Sequence, residues 1–266
     1  MRIEGHLSKM KVSHAETVQY HLRLDDSEIE LNSLIGANIR LSYLDVITCS
    51  NCGKKTKKSW NQGYCYPCTL KLAECDICIV KPELCHYAQG TCREPQWGEE
   101  HCLKPHVVYL ANSSALKVGI TREKQVPTRW MDQGATQALP IFKVSSRLDS
   151  GLVEKAFSQH VADKTNWQRM LKGDPELIDL KAEAQRLLKL VDPEIKRYIT
   201  EVMTVEEYRF HYPVKVYPEK IKSLGLDKVP VIEDKLIGIK GQYLLFSQGV
   251  INIRNHSSYK VLWEVL

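Results

Sequence analysis

Thiols are the residues of this chain whose type and spacing point to chemistry. All nine cysteines fall between Cys49 and Cys102. The first four read Cys49-x2-Cys52-x12-Cys65-x2-Cys68, which is the spacing of a zinc ribbon. Each Cys-x2-Cys pair folds as a tight knuckle, and two knuckles supply four thiolates at the corners of a tetrahedron. Gly53, after the first pair, suits a turn in which backbone amides point back at sulfur.

Ligand types continue with Cys75, Cys78, Cys85, His86, Cys92, His101, Cys102 and His106, eight residues within 32 positions. That density exceeds what packing needs and predicts a second metal site. Cys75-x2-Cys78 repeats the knuckle spacing, with Cys85, Cys92 and Cys102 as natural partners. Five thiols exceed one tetrahedron, so either one is spare or His106 replaces a sulfur. Two structural zinc ions are the expectation, and an iron–sulfur cluster is the alternative for the second site. Met1 to His6 carries no apolar leader region. Clustered thiols in such a chain favour metal ligation over disulfides and predict a cytoplasmic protein.

The formal charge is +5, and each four-thiolate zinc site would add about −2. Distribution therefore says more than the total. Residues 107–173 hold ten Lys/Arg against five Asp/Glu, a local excess compatible with nucleic acid. Lys54-Lys55-Thr56-Lys57-Lys58-Ser59-Trp60 could press on phosphates and stack a base, or simply be a solvated loop balancing thiolate charge. No apolar run reaches the roughly 20 residues that span a bilayer, so no membrane role is expected. Glycine-rich dinucleotide loops and Walker phosphate loops are absent as well.

Around these residues the pattern is α+β. Residues 1–48 read as a β-rich segment, with period-two alternation over 17–24 and β-branched residues over 39–47. Residues 49–106 form a cysteine-rich region whose fold metal dictates. In residues 107–173, Val107–Ala111 and Leu116–Ile120 read as strands around the turn-forming Asn112-Ser113-Ser114. A helix opens near Pro127, a third strand runs over Ile141–Ser145, and Gly151–His160 forms an amphipathic helix. Residues 174–204 are a helical connector broken near Asp192-Pro193. Residues 205–266 return to strands, including one over 208–216, and pairing of the two chain ends into one small sheet or barrel is the economical topology.

Residues 107–173 resemble the GIY-YIG nuclease domain, particularly variants whose second motif reads Lys-x-Gly-x-Thr. Val107-Val108-Tyr109 stands at the first triad and Lys117-Val118-Gly119-Ile120-Thr121 at the second. Arg129 stands near the family's arginine and Glu154 at its metal-binding glutamate. The resemblance implies that Tyr109 orients or deprotonates the attacking water and that Arg129 holds the phosphate. It also implies that Glu154 binds magnesium or manganese. Two positions depart: Val107 replaces a glycine, and Lys117 replaces the second tyrosine, where it could contact phosphate directly.

A wider pattern is similar to a bacterial protein family of unknown function. It joins Gly90-Thr91-Cys92-Arg93-Glu94-Pro95-x-Trp97-Gly98, Arg129-Trp130-x-x-Gln133-Gly134-Ala135, Asp163-Lys164-Thr165-Asn166-Trp167 and Gly241-Gln242-Tyr243. Within it, Arg93, Trp97, Trp130, Gln133, Lys164 and Trp167 combine donors with aromatic faces, a set suited to nucleic acid. The expectation is a zinc protein with a GIY-YIG-like α+β core that binds DNA or RNA and has a metal-dependent phosphodiesterase activity. The alternative is a non-catalytic nucleic-acid-binding or protein-interaction module with structural zinc.

Overall fold

In the computed structural model, which describes residues 1–266, the chain opens with β1 (Arg2–Ser13), β2 (Gln19–Leu24), β3 (Ser27–Glu30) and β4 (Asn38–Ile47). Two short helices follow, α1 (Tyr66–Lys71) and α2 (Pro95–His101). Next come β5 (His106–Asn112), β6 (Leu116–Arg122), α3 (Thr128–Asp132), β7 (Gln137–Val144) and α4 (Arg147–Phe157). α5 (Trp167–Met170), α6 (Leu180–Leu190) and α7 (Pro193–Lys196) lead to β8 (Ile199–Val202) and β9 (Tyr208–Arg209). The chain closes with β10 (Ser223–Leu224), β11 (Val231–Lys240), β12 (Tyr243–Phe246), β13 (Gly249–Asn252) and β14 (Tyr259–Val265). No helix is long and apolar enough to cross a membrane.

Two units share the chain, and the fold is mixed α+β. The first comprises Met1–Leu70, Leu171–Gly173 and Phe210–Leu266. Its nine strands run in the order β10-β13-β12-β11-β4-β14-β1-β2-β3. The C-terminal β14 lies antiparallel between β1 and β4, with Ile3 opposite Trp263 and Trp263 opposite Leu41. Strand β2 shows why alternation folds this way: Tyr20, Leu22 and Leu24 are buried while Gln19, His21 and Arg23 face outward. Each buried leucine contributes roughly 1.5–3 kcal/mol, so a register slip of one residue would expose the whole apolar row.

The stretch 208–216 does not fold as one strand. Only Tyr208–Arg209 pairs in β9, and Val214 makes a single bridge to Gly238. Pro213 interrupts the alternation because it has no amide to give a ladder.

The second unit comprises Lys71–Met170 and Asp174–Arg209. Its sheet runs β6-β5-β7-β8, with β9 also on β7. Strands β5 and β6 form a hairpin that sets Tyr109 opposite Gly119 and Ala111 opposite Lys117. Period two then sends Val108, Leu110, Val118 and Ile120 to one face, where Val153 and Phe157 of α4 and Leu180 and Leu187 of α6 cover them. Tyr109, Lys117 and Gly119 belong to the other face. Strand β7 carries one extra residue against β5 between Val108 and Tyr109, and Pro140 stands opposite Tyr109. Such a bulge re-aims a side chain and tolerates a proline.

Helix α4 is capped by Ser146, whose hydroxyl accepts from the Asp149 amide. That cap starts the helix earlier than its apolar stripe does.

Candidate functional site

The four thiols of the two knuckles converge: the Cys49, Cys52, Cys65 and Cys68 sulfurs all lie within 4.8 Å of one another. Cys52 and Cys65 Sγ are 3.8 Å apart, the sulfur separation that a tetrahedron with metal–sulfur bonds of about 2.3 Å requires. Gly53 takes φ +68° and its amide donates to the Cys49 carbonyl at 3.0 Å. Burial pushes the Cys49 thiol up, but the amides of Cys52, Cys65 and Asn51 point at it and bring it down to about 6. A thiol so placed could serve as a metal ligand.

Hydrogen bonds seat the knuckles on the first unit's sheet. Ser258 donates to the Gly63 carbonyl at 2.9 Å, Ser59 donates to the Ser257 carbonyl at 2.8 Å, and the Thr56 amide donates to the Ile47 carbonyl of β4 at 2.9 Å. Beside them Lys58 Nζ lies 4.2 Å from the centre of the Trp60 ring.

In the second unit, Asp76, Cys78 and His86 also bring three ligand atoms within 4.8 Å of one another, so this group too could hold a metal ion. Asp76 is already engaged. Its carboxylate accepts from the Cys78 amide at 3.0 Å, meets Arg93 at 2.7 Å and lies 3.5 Å from His86. His106 stands apart, fully buried, with Nδ1 donating to the Lys104 carbonyl at 2.7 Å and burial pushing its pKa down to about 4.

A second constellation gathers on the β5–β6 hairpin. The buried Tyr109 hydroxyl donates to Gln133 Oε1 at 2.9 Å, and Lys117 Nζ donates to the same oxygen at 2.8 Å. Gly119 makes room for the ring, since a Cβ there would stand 2.6 Å from Tyr109. Trp130 of α3 packs edge-on to Tyr109 at 5.6 Å and against Tyr208 at 4.9 Å. Gln133 caps the C-terminus of α3, and Gly134 at φ +67° turns the chain away, the left-handed position that glycine fills best.

Charges converge on this cluster from three further places. Burial pushes Lys117 down to about 7 and Arg129 adds to the push, while Glu154 and Asp163 pull it back. Burial raises Glu154 to about 7 and Asp163 raises it further, against Arg129, Lys117 and Arg147. Burial likewise raises the Tyr109 phenol. An amine and a carboxyl both brought near neutrality in one cluster make it a candidate functional site.

The structure thus brings Tyr109, Lys117, Arg129 and Glu154 together and adds Gln133 and Asp163. The sequence pattern groups Gln133 with the nucleic-acid contacts and shows Asp163 only as part of a motif. Neither could be placed without knowing where α3 ends and how the chain returns after α4.

The six residues expected to contact nucleic acid divide among three neighbourhoods. Arg93 and Trp97 line the cysteine-rich pocket, where Arg93 pairs with Asp76 and Trp97 stacks on His101 at 4.2 Å. Trp130 is fully buried, so its ring presents no face to a base; it packs the tyrosine cluster that holds Gln133. Lys164 is exposed and Trp167 half-buried, on the segment anchored by the Asn166 amide donating to Ser114 at 3.0 Å.

A family model described as "Protein of unknown function (DUF2797)" matches residues 36–261. No curated protein and no solved structure matches the chain.

Proposed function

The chain belongs to the DUF2797 family, and from that premise we propose that its second unit is a GIY-YIG-like phosphodiester site for nucleic acid. In the same reading, zinc bound by Cys49, Cys52, Cys65 and Cys68 staples a ribbon on the first unit. One observation carries the proposal: Tyr109 and Lys117 share Gln133 as acceptor while Glu154 and Lys117, in mutual electrostatic reach, are both poised near pH 7.

Hydrolysis of a phosphodiester breaks a P–O bond. A proton must leave the attacking water, another must reach the departing oxygen, and the added negative charge needs stabilising. Arg129 supplies a planar fork for the phosphate oxygens. Lys117, brought to about 7, can take the proton of the attacking water as an amine or give one to the departing oxygen as an ammonium. Tyr109 orients rather than deprotonates, because its phenol is raised and its proton already points at Gln133. Asp163 helps hold the Glu154 proton on, and a carboxylate oxygen at Glu154 is the hard donor a magnesium or manganese ion would take. That ion would supply charge neutralisation beside the phosphate.

Lysine in place of the second tyrosine favours one other reading, a site that grips the backbone without cutting it. Both readings require salt-sensitive binding. In gel-shift titrations with labelled single- and double-stranded DNA and RNA, at least one probe is expected to bind at low salt and to weaken steeply as salt rises. Lys117→Ala or Arg129→Ala is expected to weaken that binding by about tenfold or more, which corresponds to roughly 1.4 kcal/mol. Absence of binding to all four probes at low salt would overturn the proposal and leave a protein-interaction role for the metal-stapled fold.

A further inference from the structure

We propose that Cys78, Cys85, Cys92 and Cys102 together hold an iron–sulfur cluster of the cubane four-iron type, distinct from the zinc ribbon and independent of the phosphodiester site. All four thiols line one pocket of the second unit, and Cys75 does not line it. Four separate pieces of backbone deliver them. Cys78 sits in a 3-10 turn (Ile77–Ile79), Cys85 closes the turn Pro82–Leu84, Cys92 precedes α2, and Cys102 caps its C-terminus.

Spacing argues for a cluster over a single ion. At the knuckles the sulfurs crowd into one group within 4.8 Å, and the thiols hydrogen-bond one another. In the pocket the four thiols line a hollow that they share with Trp97 and Gly98. Cys78 shares its tight group with Asp76 and His86 instead. A lone tetrahedral ion draws four sulfurs to about 3.8 Å from each other. A cubane puts iron and sulfide atoms between its thiolates, and so needs thiols standing back around a hollow. Asp76 does not compete, because Arg93 and the Cys78 amide occupy its carboxylate.

Two arginines offset the burial and the Asp76 charge that hold the Cys78 and Cys102 thiols up. Arg147 of α4 donates to the carbonyls of Cys78 and Ile79, at 3.4 Å and 2.5 Å, and its charge acts on Cys78 and Cys102. Arg122 acts on Cys102 from β6. Trp97, stacked on His101, supplies an apolar wall. Gly98 lets that wall close, because a Cβ there would stand 3.1 Å from the Tyr87 ring, which also lines the pocket. The same helix α4 presses on the turn before Cys85: a Cβ on Gly151 would stand 2.6 Å from the Glu83 amide nitrogen. Residues 73–102 contain only 3-10 turns and one short helix, and Ile77, Val80 and Leu84 stay exposed. A stretch so poor in core needs a covalent staple.

The test is elemental and spectroscopic, on the full chain isolated under nitrogen. Iron and acid-labile sulfide are expected in equal amounts, beside zinc at the level of a single site. A broad visible absorption and an electron paramagnetic resonance signal after reduction should accompany them. Cys85→Ser and Cys92→Ser should lose iron and sulfide and keep zinc, whereas Cys75→Ser should keep all three. Wild-type protein that carries zinc at two sites, and takes up no iron after anaerobic incubation with ferrous iron and sulfide, would overturn the proposal. Loss of iron from Cys75→Ser equal to that from Cys85→Ser would overturn the ligand assignment.

Discussion

Cys65→Ser is expected to strip the metal from the knuckles and unfold residues 49–70 while the nine-stranded sheet persists. Between Cys49 and Leu70 only Cys49, Gly63, Cys65 and Cys68 are buried, and Trp60, Tyr66 and Leu70 are all exposed. The segment therefore has no apolar core to fall back on. What is left without metal is a handful of hydrogen bonds to Ser257, Ser258 and Ile47. Each contributes about 1 kcal/mol net, against roughly 10–16 kcal/mol for a structural zinc site. Limited trypsinolysis reads the outcome, because Lys54, Lys55, Lys57 and Lys58 lie in the loop between the knuckles. Rapid cutting there, with metal lost by elemental analysis and the sheet's circular dichroism retained, is the expected result. Full protection of that loop in metal-free protein would show that the thiols are not the staple.

Glu154→Gln is expected to make the protein more stable at neutral pH. Burial raises the Glu154 pKa from 4.5 to about 7, so the folded chain holds its proton more tightly than the unfolded chain does. The stability this confers is present below pH 4.5 and is lost as pH rises through 7. Lys117 has the opposite sign, lowered from 10.5 to about 7. The unfolded chain then binds more protons between those values, and stability rises with pH across that window. The two groups together dig a trough in stability around neutrality.

Glutamine removes the acidic wall of the trough. The expected gain above pH 7 is on the order of 2 kcal/mol, trimmed by the lost attraction for Lys117 and Arg129. Near pH 4 the variant should match the parent. Urea unfolding of both proteins at pH 4, 7 and 8.5 measures this directly. A variant less stable than the parent at pH 7 would mean that Glu154 is a satisfied structural carboxylate. Stability held down by buried charge is a common cost of a functional site.

Local pattern carried much of this chain. The alternation over 17–24 is strand β2, and the β-branched run over 39–47 is strand β4. Val107–Ala111 and Leu116–Ile120 pair as β5 and β6, and the break near Asp192-Pro193 falls between α6 and α7, where Asp192 caps the latter. In each case the side chains that define the element also define its buried face.

Elements that begin on polar residues were harder to see. Strand β7 starts at Gln137, before its apolar run, because the Gln137 carboxamide bonds Asn112, Ile178 and Glu207. The knuckle ligands were legible because one metal fixes a short spacing. For the second group the spacing offers five thiols and His106 without choosing among them, since which of them line one pocket depends on α2 and the 3-10 turns. Gln133 escaped for a related reason: its role comes from two donors on a hairpin it does not belong to.

Phosphodiester cleavage by the cluster around Gln133 is the central claim, and manganese-dependent hydrolysis tests it most directly. Zinc-loaded protein would be incubated with labelled single- and double-stranded DNA and RNA, with and without manganese, beside folded Glu154→Gln. The predicted result is manganese-dependent cleavage of at least one probe, falling by about a thousandfold in the variant while its binding persists. Uncut probes under every condition, or cleavage undiminished in Glu154→Gln, would contradict it.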